Sequence, residues 1–229
     1  MKFSLIVFDI DGTLRSFDEP VSRNVSLTLR HLEKLRARIA LSSGKHLPYI
    51  EKIAQDLEIL RPIIIAENGC AIVDVADNRE IWLTERPPEI YEIRKRILHK
   101  FPDSIWEQPN KVEFTFSAKN TELRSEMITY ANEVITQYRD KIHMYGCSGS
   151  IDVLPAGIDK GFGLAEVKRM YGFKKDEVVA IGDGENDIPM FREAGLSLIV
   201  GTQVSHPNAL SFNTIAEVLD FLTNTQRSV

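Results

Sequence analysis

Apolar and polar positions alternate in blocks along this chain. An apolar run from Phe3 to Phe8 stops at Asp9-Ile10-Asp11-Gly12, as expected for a strand buried on both faces of a parallel sheet. Ser22 can cap a helix in which Val25, Leu29, Leu32 and Leu35 recur at helical spacing. Ile39-Ala40-Leu41 reads as a second strand that ends at Ser42-Ser43-Gly44-Lys45, and a helix over 46–57 places Ile50, Ile53, Ala54 and Leu57 on one face. Pro62 to Ile65 is a third buried strand, ending at Glu67-Asn68-Gly69. This βαβαβ order predicts an α/β fold built on a doubly wound parallel sheet.

The rhythm then changes. Residues 71–83 read as a hairpin around Asp77-Asn78. Pro87-Pro88 marks a boundary, after which the pattern is helix (89–100), strand (112–116), helix (121–138) and strands (142–145 and 151–154). Phe114, Phe116, Ile142, Met144, Ile151 and Val153 alternate at period two, so one sheet face is covered and the other is partly open. A small α+β module inserted into the sheet domain follows, with residues 1–83 as the first part of a core, 84–156 as the insertion and 157–229 as the second part of the core. The tail resumes the first rhythm, with a helix from Asp159-Lys160, a buried strand at 178–181, a helix near 187–194, a strand at 196–200 and a last helix near 215–223. Residues from Thr223 to Val229 are expected to fray.

Composition narrows the function classes. The chain has 229 residues, is 43% hydrophobic and 27% charged, and carries a net charge of -5, which suits a soluble globular protein with a sizeable core. No strongly basic stretch is present, so a nucleic-acid partner is not expected. No eighteen-residue apolar stretch exists, and the apolar run before Asp9 is too short for a secretory signal, so no membrane partner is expected. Cys70 and Cys147 stand in no metal-ligand spacing, which fits a reduced, cytoplasmic setting. Oligomeric state is left open.

Four polar clusters follow predicted buried strands: Asp9/Asp11, Ser43/Gly44/Lys45, Glu67/Asn68 and Asp183/Asn186/Asp187. In an open parallel sheet those positions share the edge where ligands bind. On a strand, carboxylates at i and i+2 point to one side, and two acids there are costly to keep charged unless a cation or a reaction uses them. Asp183 adds a third carboxylate and makes an all-oxygen set suited to Mg²⁺. The Ser43 hydroxyl and nearby backbone N–H groups can hold a phosphate at a helix N-terminus. Lys160 opens a helix after the insertion.

These clusters, in this order, resemble the haloacid dehalogenase-like phosphohydrolases. Asp9 to Thr13 matches that family's Asp-x-Asp-Gly-Thr motif, Ser43 its second motif, Lys160 in Asp-Lys-Gly its third, and Gly182 to Asp187 its Gly-Asp-x-x-Asn-Asp. An insertion between the second and third motifs is similar to the C2-type cap of the Cof-like, sucrose-phosphatase-like branch. Ala66 to Gly69 and Ile151 to Gly157 also resemble that branch, and the short insertion resembles archaeal-type phosphoglycolate phosphatases. Lys45 stands where the branch commonly carries Arg, and a lysine cannot make an arginine's planar two-point contact.

The resemblance implies a Mg²⁺-dependent phosphomonoester hydrolase acting on a small phosphorylated metabolite, either phosphoglycolate or a sugar phosphate. It implies Asp9 as nucleophile, forming an aspartyl-phosphate, and Asp11 as acid and base. Mg²⁺ would be held by the Asp9 carboxylate, the Asp11 backbone carbonyl and Asp183. Ser43, Gly44 and Lys160 would bind the phosphoryl group, with Asn186 and Asp187 supporting the metal waters and Lys160. Glu113, Tyr145, Ser148 and Ser150, and the polar segment Gly146 to Ser150, are the candidate substrate contacts of the cap. Alternatives are a phosphosugar mutase of that family, which uses the same Asp pair, and a phospho-accepting signalling domain, which carries its acids adjacent rather than as Asp-x-Asp-Gly-Thr. A catalytically silent binding module is disfavoured by the complete set of motif residues.

Overall fold

The computed structural model describes residues 3–16, 19–147 and 149–227. Ser148, expected among the substrate contacts, lies outside the described residues.

Strands β1 (Leu5–Asp9), β2 (Arg38–Ser42), β3 (Ile63–Ala66), β10 (Val178–Gly182), β11 (Leu196–Val200) and β12 (Leu210–Phe212) pair in parallel in the order β12-β11-β10-β1-β2-β3. The antiparallel strands β4 (Ala71–Asp74) and β5 (Arg79–Trp82) extend the far edge. The doubly wound parallel sheet read from the block pattern is therefore present, with a hairpin added to it.

Strand β1 explains why its sequence is apolar throughout. Ile6 and Phe8 enter one core with Val25 and Leu29 of α1 (Arg23–Lys34), Ile50 of α2 (Leu47–Asp56), and Val218 and Leu222 of α7 (Ile215–Arg227). Leu5 and Val7 enter a second core with Leu164 and Val167 of α5 (Lys160–Tyr171) and Phe191 of α6 (Ile188–Glu193). Helices thus cover both faces, and a strand between two apolar layers has no room for a polar alternation. Helix α1 begins where expected, with the Ser22 hydroxyl accepting from the Asn24 N–H at 3.2 Å.

A second, four-stranded antiparallel sheet is formed by β6 (Ile105–Glu107), β7 (Phe114–Ala118), β9 (Ser150–Pro155) and β8 (Ile142–Cys147), in that order. One face packs on α3 (Pro88–Lys100) and α4 (Arg124–Thr136) through Ile90, Ile93, Met127, Phe114, Phe116, Ile151 and Val153. The intervening positions Thr115 and Asp152 occupy the opposite face.

Three expectations are corrected. The tail does not fray at Thr223: α7 runs to Arg227, and Gln226 is buried. The Gln226 side chain exchanges two hydrogen bonds with the Phe3 backbone, donating to its carbonyl at 2.9 Å and accepting from its N–H at 2.8 Å. A buried amide paired with a strand end outweighs the usual loss of order at a terminus. The strand expected at 112–116 starts later, at Phe114, because the N–H groups of Lys111, Val112 and Glu113 are taken by the Glu67 carboxylate at 2.7, 2.7 and 3.3 Å. Strands β6 and β12 were not legible, since three-residue edge strands carry too little alternation to read.

Candidate active site

Asp9 is the last residue of β1, Ser43 follows β2, Glu67 follows β3 and Asp183 follows β10. The sheet therefore collects all four polar clusters along its carboxyl edge, the usual place for ligands in such a fold. The clusters at Asp9, Ser43 and Asp183 border a cavity of about 330 Å³ lined on that side by Asp9, Asp11, Ser43, Gly44, Lys45 and Asp183, whereas Glu67 and Asn68 are not among its lining residues.

At its floor lies a chain of charged contacts. The Lys160 ammonium donates to Asp9 Oδ1 at 2.6 Å and to Asp187 Oδ1 at 2.7 Å, with Lys160 only 1% exposed. Asp187 Oδ2 accepts from the N–H groups of Asp183 and Gly184, both at 3.0 Å. Asp187 thus has both oxygens engaged and fixes Lys160 relative to the loop after β10. Lys160 is the first residue of α5, whose N-terminus is capped by the Asp159 carboxylate accepting from the Phe162 N–H at 2.8 Å.

Asp183 Oδ1 accepts from the Thr13 hydroxyl at 2.8 Å. Gly12, at φ 97°, makes the sharp exit from β1, and a Cβ there would collide with the Asp183 carboxylate. The final two residues of the Asp9–Thr13 stretch therefore seat both Asp183 and the turn. Asp9, Asp183 and Asp187 each offer a buried carboxylate oxygen within 4.8 Å of the others. With Asp187 saturated, Asp9 and Asp183, whose carboxyls also share a hydrogen bond, are the two that can turn an oxygen to a cation. The oxygen-only donor set fits Mg²⁺.

Burial shifts these groups strongly. It pushes the Asp9 carboxyl up to about 8, helped by the Asp187 and Asp183 charges and opposed by Lys160. Burial also raises Asp183. Burial alone would lower Lys160, but the Asp187 and Asp9 carboxylates outweigh it and hold the ammonium above its ordinary value.

Asp11 turns away from that chain. Its Oδ1 accepts from Arg15 Nε at 2.9 Å and Nη2 at 2.7 Å, and Arg15 also bonds the Tyr49 hydroxyl. Asp11 Oδ2 is buried and has no hydrogen-bond partner among the described residues. Asn186, expected near Lys160, instead donates to Asn68 Oδ1 at 3.3 Å. The Asn68 amide donates to Glu113 Oε2 and Asp152 Oδ2, each at 3.0 Å, from a left-handed backbone at φ 49° that asparagine tolerates. Ser43 Oγ accepts from the Lys45 N–H at 3.2 Å.

Four residues of the smaller sheet and its crossing segments complete the cavity: Gln108, Gly146, Ser150 and Asp152. Of the expected substrate contacts, Ser150 and Gly146 line it. Glu113 lies behind it, fully buried, and Tyr145 packs against His143 with ring centres 4.3 Å apart. Asp152 and Gln108 were missed. Asp152 gave the same signal as Asp9, a carboxylate inside an apolar strand, whereas Gln108 gave none. Arg15 and Tyr49 were missed too, because nothing local pairs Asp11 with a helix residue 38 positions away.

A profile of the haloacid dehalogenase-like hydrolase family matches residues 6–92 and 86–211. The chain belongs to that family, and within it to the phosphatases. It is 31% identical over 204 residues to a phosphoglycolate phosphatase of Methanopyrus kandleri, covering 85% of this chain and 83% of that one. It is 26% identical over 240 residues to a 5-amino-6-(5-phospho-D-ribitylamino)uracil phosphatase of Bacillus subtilis, covering 98% and 91%. Its fold matches a crystal structure from Thermoplasma acidophilum at a TM-score of 0.82 and 19% identity, covering all of both chains. No helix among the described residues is long and apolar enough to cross a membrane.

Proposed function

We propose that this protein is a Mg²⁺-dependent phosphatase that releases inorganic phosphate from a small phosphorylated metabolite through an aspartyl-phosphate on Asp9. The observation that supports this most is the Asp9 carboxylate at the cavity floor, 2.6 Å from the Lys160 ammonium and grouped with Asp183. A carboxylate nucleophile and a phosphoryl dianion repel each other, and Lys160 offsets part of that repulsion where the two must meet. A bound Mg²⁺ would supply the rest of the charge neutralisation, held by the Asp9 and Asp183 carboxylates and the Asp11 backbone carbonyl.

Asp9 attacks phosphorus and the ester oxygen departs, taking a proton from Asp11. Water then attacks the aspartyl-phosphate, giving its proton to Asp11, and phosphate leaves with Asp9 restored. Ser43 and the Gly44 backbone hold the phosphoryl oxygens with Lys160. Residues 84–156 act as a cap over the core formed by 1–83 and 157–229, excluding water and reading the leaving group. Phosphoglycolate and a ribityl phosphate are the two kinds of substrate suggested by the relatives' names. The cysteine usage suits a reduced, cytoplasmic setting.

Phosphate release from a panel of phosphorylated metabolites tests this directly. EDTA-treated protein is expected to be silent and to regain turnover with Mg²⁺; full activity in metal-free protein would refute the metal assignment.

Arg15 bears on the same steps. Its two contacts to Asp11 Oδ1 leave Oδ2 as the oxygen that can exchange a proton with the leaving group. Arg15→Ala is expected to slow an alkyl phosphate by about 10²-fold, the lower range for general acid catalysis. The loss on p-nitrophenyl phosphate, whose leaving group needs little protonation, should be at least about tenfold smaller. Equal losses on both esters would mean that Arg15 only supports the fold.

A further inference from the structure

The cavity has two walls of different chemistry. The core wall carries the residues described above, and Lys45 is the one cation lining the cavity among the described residues. Lys45 adjoins Ser43 and Gly44, and its charge also reaches Asp152 on the cap wall. The cap wall carries Gln108, Gly146, Ser150 and Asp152, with no cation.

Asp152 is 3% exposed. Its strand neighbours Ile151 and Val153 enter the cap core, which turns Asp152 to the cavity face. Asn68 fixes Oδ2, and Oδ1 is buried with no partner among the described residues. The carboxylate also lies against the phosphate loop: a Cβ placed on Gly44 would sit 3.1 Å from Asp152 Oδ2. Gln108, 4% exposed, is likewise held by its backbone, donating to the Thr115 carbonyl at 2.9 Å, while its side-chain Oε1 has no partner among the described residues. Buried acceptors without donors are costly in a folded protein, and the two residues that carry these line the cavity. Folding alone does not explain them.

We propose that Asp152 and Gln108 form a leaving-group subsite that takes the hydroxyls of a phosphorylated polyol or sugar and disfavours a phosphorylated carboxylic acid. The proposal rests on the phosphatase reading for the position of the phosphoryl group. A hydroxyl both donates and accepts, so it satisfies Asp152 Oδ1 whether the carboxyl is ionised or protonated. A substrate carboxylate satisfies only the protonated form and otherwise meets a like charge. Burial raises Asp152, opposed first by side-chain hydrogen bonds from Thr115 and Asn68 and then by the Lys45 and Lys160 charges, and a hydroxyl suits the carboxyl in either protonation state. Only the hydroxyl is compatible with both. A second substrate charge would also face Asp11, Asp183 and Glu185 around the same cavity.

The test compares kcat/KM for ribitol 5-phosphate and sorbitol 6-phosphate with that for phosphoglycolate, in Mg²⁺. The better polyol phosphate is expected to exceed phosphoglycolate by at least about tenfold, as a site that hydrogen-bonds a substrate hydroxyl discriminates against analogues lacking it. Asp152→Asn is nearly isosteric and replaces an acceptor-only group by an amide that can donate to a carboxylate. It should shrink the ratio by about tenfold or more, losing on the polyol and holding or gaining on phosphoglycolate. Gln108→Leu should also shrink the ratio, and it decides the matter if the Asp152 variant does not fold. Preference for phosphoglycolate in the native protein, or a ratio that neither variant moves, overturns the subsite. If no ester is turned over, the phosphatase reading fails on its own. Calorimetric binding of ribitol 5-phosphate against phosphoglycolate then decides the subsite, tighter polyol binding supporting it and tighter phosphoglycolate binding overturning it.

Discussion

Asp9→Asn is expected to reduce phosphate release by at least about 10⁴-fold, the scale on which removing a covalent nucleophile acts elsewhere. The protein should remain folded. Asp9 ends β1 with its carboxyl already buried, and burial penalises its charge. An amide keeps the oxygen that accepts from Lys160, and Lys160 keeps Asp187 as its second partner at 2.7 Å. The unfolding free energy from urea denaturation should therefore stay within about 1 kcal/mol of the native protein, as for changes that leave packing and pairing in place. Appreciable turnover in a folded Asp9→Asn protein would remove Asp9 as nucleophile. Phosphate trapped on the native protein in acid, and absent from the variant, would place the bond on this residue.

Lys160→Met is expected to damage activity and stability together, and to be the most damaging change for stability. The methionine matches much of the lysine stem but leaves Asp9 and Asp187 without their shared ammonium. Breaking a buried ion pair from one side costs about 3–5 kcal/mol, because the remaining charge has neither partner nor water. Asp187 also anchors the N–H groups of Asp183 and Gly184, so the loss should spread to the loop that carries Asp183. Turnover should fall by about 10²–10³, as for removal of a preorganised charge-stabilising donor. Urea denaturation and steady-state phosphate release measure the two effects. A variant as stable as the native protein would mean that Lys160 is not the electrostatic keystone of this cluster.

The two residues differ in how far a sequence alone can place them. Asp9 interrupts an apolar strand and stands beside a turn glycine, and both signals lie within five positions. Ser43 and Asp183 announce themselves in the same way, each directly after a buried strand. Lys160 was identified through a resemblance to family motifs, and its contact with Asp9 spans 151 positions. Asn186 stands in the loop after β10 as its sequence position implies, and its contact with Asn68, 118 positions away, is set by the tertiary structure. The cap was legible in outline, since its helices and alternating strands follow their own periodicities. Its edge strand β6 and the late start of β7 were not, because the first is too short to carry a pattern and the second is set by the carboxylate of Glu67.

What the sequence determined by itself is the chemistry available at the sheet edge: carboxylates, a hydroxyl and a turn glycine, each placed by the apolar strand before it. Strand burial is a local property, and the residues that end a strand inherit their position from it. Tertiary structure alone decided how those groups divide their work. It put Lys160 between Asp9 and Asp187, committed one oxygen of Asp11 to Arg15, and brought Asp152 and Gln108 to the opposite wall of the cavity. Such pairings depend on how the inserted sheet packs over the core, which no window of neighbouring residues encodes.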